Sequence, residues 1–138
     1  MKRVLVLASH HRMAEGLKDS LLFVSNMEME VVALSAYVDN QPIEDAVKQL
    51  MGGFAPEDEV VILTDMTSGS VNQKFFPYVS RPHTHLVSGM NLPLAFTIAM
   101  EDTDDYISAE RMWEIVEESR AEMKYVNDLA SEGDDEDE

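Results

Sequence analysis

Four short apolar runs, Val4–Ala8, Glu30–Ala36, Val60–Thr64 and His83–Ser88, alternate with stretches of helical periodicity. That alternation constrains the chain more than any other feature. The runs are mostly valine, isoleucine and leucine with little polar alternation, the pattern of strands covered on both faces. Between them, Met13–Phe23 places Ala14, Leu17, Leu21 and Leu22 on one side of a helix. Ile43–Met51 follows the turn Asp39-Asn40-Gln41-Pro42, with Ile43, Val47 and Leu50 at helical spacing. Ser70–Tyr78 predicts a short helix limited by Pro77, which lacks the N–H needed inside a helix. Leu92–Met100 follows Asn91, a good N-cap, with Pro93 tolerated in the first turn. The last pattern predicts a longer helix from Ser108 to about Leu129, with Met112, Val116, Met123, Val126 and Leu129 on its apolar side. Strands alternating with helices predict an α/β, doubly wound fold: a parallel sheet with helices on both faces. No internal repeat or linker interrupts residues 1–130, so one domain is expected there.

Charge narrows the function. The chain carries 27 acidic and 10 basic residues. Residues 1–100 hold 7 basic and 11 acidic side chains, a net of −4, and residues 101–138 hold 3 and 16, a net of −13. Such a chain repels nucleic-acid phosphates and anionic lipid, so neither is an expected partner. The acidic end, residues 131–138, has nothing to bury and reads as a disordered, solubilising tail. No cysteine is present, which removes thiol catalysis, disulfides and Cys-ligated zinc and fits a reducing compartment. No apolar run approaches membrane-spanning length. A soluble, cytoplasmic protein without direct membrane insertion is expected.

In an open α/β sheet, ligands bind beyond the carboxyl ends of the strands, where strand order reverses. Three loops there carry unusual residues: Ser9-His10-His11, "TDMTSGS" from Thr64 to Ser70, and Ser88-Gly89-Met90-Asn91. His10 is a nucleophile suited to neutral pH. Asp65 can accept a hydrogen bond from one imidazole nitrogen, fixing the tautomer and leaving the other nitrogen to attack. Thr67-Ser68-Gly69-Ser70 offers hydroxyls and backbone N–H groups at a helix start, an anion cradle. This set suits phosphoryl transfer through phosphohistidine. No Walker loop or Mg²⁺ site is visible, so the phosphoryl group is expected from another phosphoprotein, with no cofactor.

Plainer readings compete. A Gly/Ser loop after a strand is commonly only a turn. His83-Thr84-His85 has the spacing to put two rings on one face of a strand, and it, or His10, His11 and Asp65, offers a metal alternative. A structural role is the simpler reading of the His83–His85 pair, and no metal is expected. The methionines, Met90, Met100, Met112 and Met123 among them, read as core filler, and Trp113 as a packing anchor. Met13, Met66 and Met90 offer an apolar patch for a docking partner.

Taken together, "VLVLASHHRMAEGLKDSL", "VVILTDMTSGSVNQKF" and "HLVSGMNLPLAF" resemble the EIIA component of the mannose-type sugar phosphotransferase system, from about Lys2 to about Met123. The resemblance implies a cytoplasmic phosphocarrier that accepts a phosphoryl group from phospho-HPr and passes it to an EIIB component. EIIB in turn serves sugar uptake through membrane EIIC/EIID components. It implies a homodimer with a four-stranded parallel sheet, in which an extra strand can be swapped between subunits. It maps the phosphorylated histidine onto His10, its partner aspartate onto Asp65, and the phosphate-cradling loop onto Ser68-Gly69-Ser70. Two positions depart from the family pattern, because His11 and Ser68 both stand where glycine is usual. A side chain at position 11 is strained if that residue needs positive φ. These departures keep a second reading open: a regulatory module on the same fold with weak or no phosphotransfer.

Overall fold

The computed structural model describes residues 2–26 and 29–130. The acidic residues 131–138 lie outside them. Four strands, β1 (Arg3–His10), β2 (Glu30–Ala36), β3 (Glu59–Thr64) and β4 (Thr84–Ser88), form one sheet. All pairings are parallel and the order is β2-β1-β3-β4. Five α-helices connect and flank them: α1 (Met13–Ser25), α2 (Ile43–Gly52), α3 (Ser70–Phe75), α4 (Leu92–Ala99) and α5 (Ala109–Ala121).

The alternation of side chains along each strand divides the core into two layers. Leu5, Leu7, Val61 and Leu63 pack with Ala14 and Leu21 of α1, Leu94 and Ile98 of α4, and Met112 and Ile115 of α5. Val4, Val6, Val60 and Ile62 pack on the opposite face with Val47 and Met51 of α2 and Val71 and Phe75 of α3. The sheet is therefore doubly wound. β1 and β3 are buried along almost their whole length, while β4, at an edge, is half-buried throughout. Fully burying a leucine such as Leu7 stabilises the fold by about 1.5–3 kcal/mol, and truncating it to alanine costs about 2–5 kcal/mol.

Caps fall where the sequence places them. The Asn91 carboxamide oxygen accepts from the Leu94 N–H at 2.8 Å, and the Ser108 hydroxyl accepts from the Arg111 N–H at 3.0 Å. α3 stops at Phe75 and the chain tightens into a 3-10 helix over Phe76–Ser80 with Pro77 in its first turn. Pro77 cannot supply the next i→i−4 donor.

The final helix differs from its prediction. α5 ends at Ala121, and after an interruption a short helical turn covers residues 126–130. Met112 and Ile115 are buried, but Met123, Val126 and Leu129 are exposed. A helix of this length owes its stability mainly to packing. Past Ala121 the chain has no core to pack against, as the exposure of Met123, Val126 and Leu129 shows. Trp113, expected as a packing anchor, is 65% exposed, and Met100 is also exposed rather than core filler.

Candidate active site

Strand order reverses between β1 and β3, since the chain leaves β1 toward β2 on one side and returns to β3 on the other. The crevice rule places a site at the carboxyl ends of these two strands, where His10 and Asp65 stand. β1 ends because His11 adopts φ 56°, a left-handed turn that aims the chain into α1. Its N–H still donates to the Ala36 carbonyl at 2.8 Å, holding the corner to the end of β2. Buried Ser9 completes the corner. Its hydroxyl accepts from the Ala14 N–H at 2.7 Å and donates to the His11 carbonyl at 3.0 Å.

The two central residues make a double contact. Asp65 Oδ2 accepts from the His10 backbone N–H at 2.8 Å and from His10 Nδ1 at 2.7 Å. The second oxygen, Oδ1, accepts from the Met66 N–H at 3.1 Å. Burial pushes the Asp65 carboxyl up, but the bonds from the His10 backbone and ring and the attraction of the imidazolium outweigh it and hold the group below its usual range. An ionised carboxylate only accepts, so the proton of a neutral ring sits on Nδ1 and the lone pair on Nε2. The His10 side chain is 36% exposed and that of Asp65 11%. The His10 ring therefore meets solvent while its partner is sheltered.

The loop after β3 closes over the ring. Gly69 has an ordinary extended backbone, φ −78° and ψ 155°, so its glycine is not required by φ. A Cβ there would lie 2.8 Å from His10 Cε1 and 3.3 Å from both Met66 Cγ and the Met66 carbonyl. Only a residue without a side chain lets the loop approach this closely. The Gly69 N–H donates to the Met66 carbonyl at 3.2 Å. Ser70 opens α3 with its Oγ 3.4 Å from His10 Nε2. Ser68 is exposed, and the Thr67 hydroxyl bonds to the Ser88 hydroxyl of β4. Asn72 ties this loop down, donating to the Thr67 carbonyl at 3.1 Å and accepting from the Thr64 hydroxyl at 2.8 Å.

The third loop lies one strand further away. Its Met90 is buried in the core, so it offers nothing to a docking partner, whereas Met13 and Met66 are half-exposed beside the site. The His83–His85 pair does not share a strand face. His83 precedes β4 with φ 58° and stacks on Tyr106 at a ring distance of 3.6 Å, while His85 Nε2 contacts the Ile107 carbonyl at 2.9 Å. Among the described residues no group of three or more His, Asp or Glu side chains is placed to hold a metal ion.

Tyr37 was missed in the sequence. Its hydroxyl lies 2.6 Å from Ser70 Oγ and its ring 5.6 Å from that of His10. The signal was available: Tyr37 directly follows β2, at the same sheet edge as the other loops.

Comparison with known proteins bears on this arrangement. The family model EIIA-man, described as the PTS system fructose IIA component, matches residues 4–117. A protein from Klebsiella pneumoniae described as a phosphoenolpyruvate-dependent sugar phosphotransferase system permease is 32% identical, with 94% of this chain and 95% of that one covered and a TM-score of 0.81. The PTS IIA protein associated with the fucose utilization operon of Streptococcus pneumoniae is 23% identical, with coverage of 94% and 97% and a TM-score of 0.77. The mannose/sorbose specific IIA subunit from Enterococcus faecalis is 20% identical, with coverage of 90% and 94% and a TM-score of 0.68. The last two likenesses carry the fold alone. Comparison with curated proteins gives no match.

Proposed function

Because this chain belongs to the EIIA-man family of phosphotransferase-system IIA components, we propose that it is a cytoplasmic phosphocarrier working through His10. It accepts a phosphoryl group from phospho-HPr and passes it to an EIIB component, which serves sugar uptake through EIIC/EIID. The observation that carries this reading is the pair of hydrogen bonds that Asp65 Oδ2 accepts from His10, from its backbone N–H and from Nδ1, which leaves Nε2 as the outward lone pair.

The chemistry follows from that lone pair. Nε2 attacks phosphorus as the bond to the donor's histidine nitrogen breaks, and the donor ring keeps the electron pair. His10 becomes an N-phosphorylated cation, and the Asp65 carboxylate balances its charge through Nδ1–H. Ser68, Gly69 and Ser70 are the proposed phosphate cradle, supported by the start of α3 beside Nε2. Exposed Met13 and Met66 supply apolar contact to the carrier.

A homodimer belongs to the same reading. β4 leaves one strand edge open, and an apolar groove of about 640 Å³ lies between β4 and α5, lined by Leu86, Val87, Met112, Trp113, Val116 and Met123. Exposed Val126 and Leu129 belong to the segment proposed to be swapped onto a partner.

The test is intact-mass analysis and peptide mapping after incubation with phosphoenolpyruvate, Enzyme I and HPr at mildly alkaline pH, where phosphohistidine survives. One phosphoryl group on His10 that moves on to EIIB is expected. A folded protein that takes none would favour the regulatory reading, to which exposed His11, strained at φ 56°, already lends weight.

A further inference from the structure

Tyr37 occupies a place that packing does not explain. It is a bulky side chain in the left-handed region, φ 68°, where such residues are rare and held only by their surroundings. Half of its surface is exposed, so burial returns little for that strain. What the conformation achieves is polar: it brings the phenol to 2.6 Å from Ser70 Oγ, and Ser70 Oγ lies 3.4 Å from His10 Nε2. The three groups form one line ending at the reactive nitrogen.

The proton order along that line follows from acidity. A phenol, with a pKa of about 10, is a stronger donor than an aliphatic hydroxyl. That favours Tyr37 as donor and Ser70 as acceptor across their 2.6 Å contact. A serine that accepts from Tyr37 keeps its single O–H free to donate to His10 Nε2, 3.4 Å away, or to whatever Nε2 carries. Hydrogen bonds arranged head to tail also strengthen one another.

We propose that Tyr37 is a positioning residue that orients the Ser70 hydroxyl as a donor, first to the His10 Nε2 lone pair and then to an oxygen of the phosphoryl group bound there. The second half of this role rests on the phosphocarrier reading. The first half does not.

The two halves are tested separately. Tyr37→Phe keeps the ring and removes only the hydroxyl. Nitrogen-15 spectra of the His10 ring, recorded without any partner, are compared for the wild type, Tyr37→Phe and Ser70→Ala. The Nε2 resonance of Tyr37→Phe is expected to move toward that of Ser70→Ala; a resonance identical to wild type overturns the proposal. Single-turnover transfer from phospho-HPr should slow roughly three- to tenfold in Tyr37→Phe, the size of one weakened hydrogen bond. Affinity for phospho-HPr should stay unchanged, and the slowing should vanish in a Ser70→Ala background. Effects that multiply across the two variants mean that Tyr37 acts without Ser70, and the proposal fails. If the wild type takes no phosphoryl group, the phosphocarrier reading fails, and the Nε2 resonance alone still decides the proton order.

Discussion

The β1–β3 strand pair carries a hydrogen-bonded acid–base pair at each end, and the two are used in opposite ways. At the base, Arg3 bonds to Glu59 across the ladder, and its guanidinium also donates to the carbonyls of Glu101, Asp102 and Asp105. The other Glu59 oxygen accepts from the Ile107 N–H at 2.6 Å. Both side chains are buried, four of the five guanidinium N–H donors are used, and both Glu59 oxygens accept. At the top, His10 and Asp65 make a pair of similar separation in sequence, but the carboxylate holds only one ring nitrogen, and the other faces partly exposed space beside the Ser70 hydroxyl. A pair buried on both sides can only hold the chain together. A pair that leaves one ring nitrogen accessible can do chemistry.

Breaking the top pair at the proposed nucleophile, His10, has the largest expected effect. His10→Ala should take no phosphoryl group by intact mass while keeping the native circular dichroism spectrum. Labelling equal to wild type would move the nucleophile elsewhere. Breaking the bottom pair should do the reverse. Arg3→Met strands the buried Glu59 carboxylate and should cost about 3–5 kcal/mol in urea unfolding, with transfer per folded molecule unchanged.

Asp65→Asn sharpens the contrast. Its amide can donate to Nδ1 and shift the proton to Nε2, so transfer should slow on the order of 100-fold. The native carboxyl lies below its usual value, so it binds its proton less readily than in the unfolded chain, where the pKa is about 3.9. Its stabilising contribution is complete above that value and is lost as pH falls through the lower native one. Unfolding midpoints taken from pH 5 downward should therefore fall more steeply for the wild type than for Asp65→Asn. Parallel curves would detach the carboxylate from the fold's acid response.

Two smaller changes probe the frame of the site. Gly69→Ala puts a methyl against the His10 ring and should slow transfer roughly tenfold with little change in stability. His11→Gly relieves a left-handed side chain and should raise stability by under about 1 kcal/mol. A loss of transfer in that variant would give the His11 ring a role of its own.

What the sequence made legible divides along the same line. β1 and β3 were readable because strands buried on both faces are apolar from end to end. His10, Asp65 and Ser70 were readable because chain direction in a parallel sheet fixes which loops share an edge. The base pair was not, since Arg3 and Glu59 look like ordinary charges flanking a strand until register sets them opposite one another. His83 and Tyr37 were misjudged or missed because their positive φ values leave no compositional mark. α5 was overextended because an apolar repeat can continue in sequence after the surface it would cover has ended.

The Arg3 clasp ties chain order to assembly. β1 precedes the other strands of this sheet yet occupies an interior position in it, and among the described residues its buried cation is matched by groups at Glu59 and residues 101–105. Until residues 101–105 have emerged from the ribosome, that cation has only Glu59 to pair with and lacks its three carbonyl partners. Closure must therefore wait for long-range contacts, which places this domain among slower folders of its size. An amino-terminal fragment ending before residue 101 should remain open.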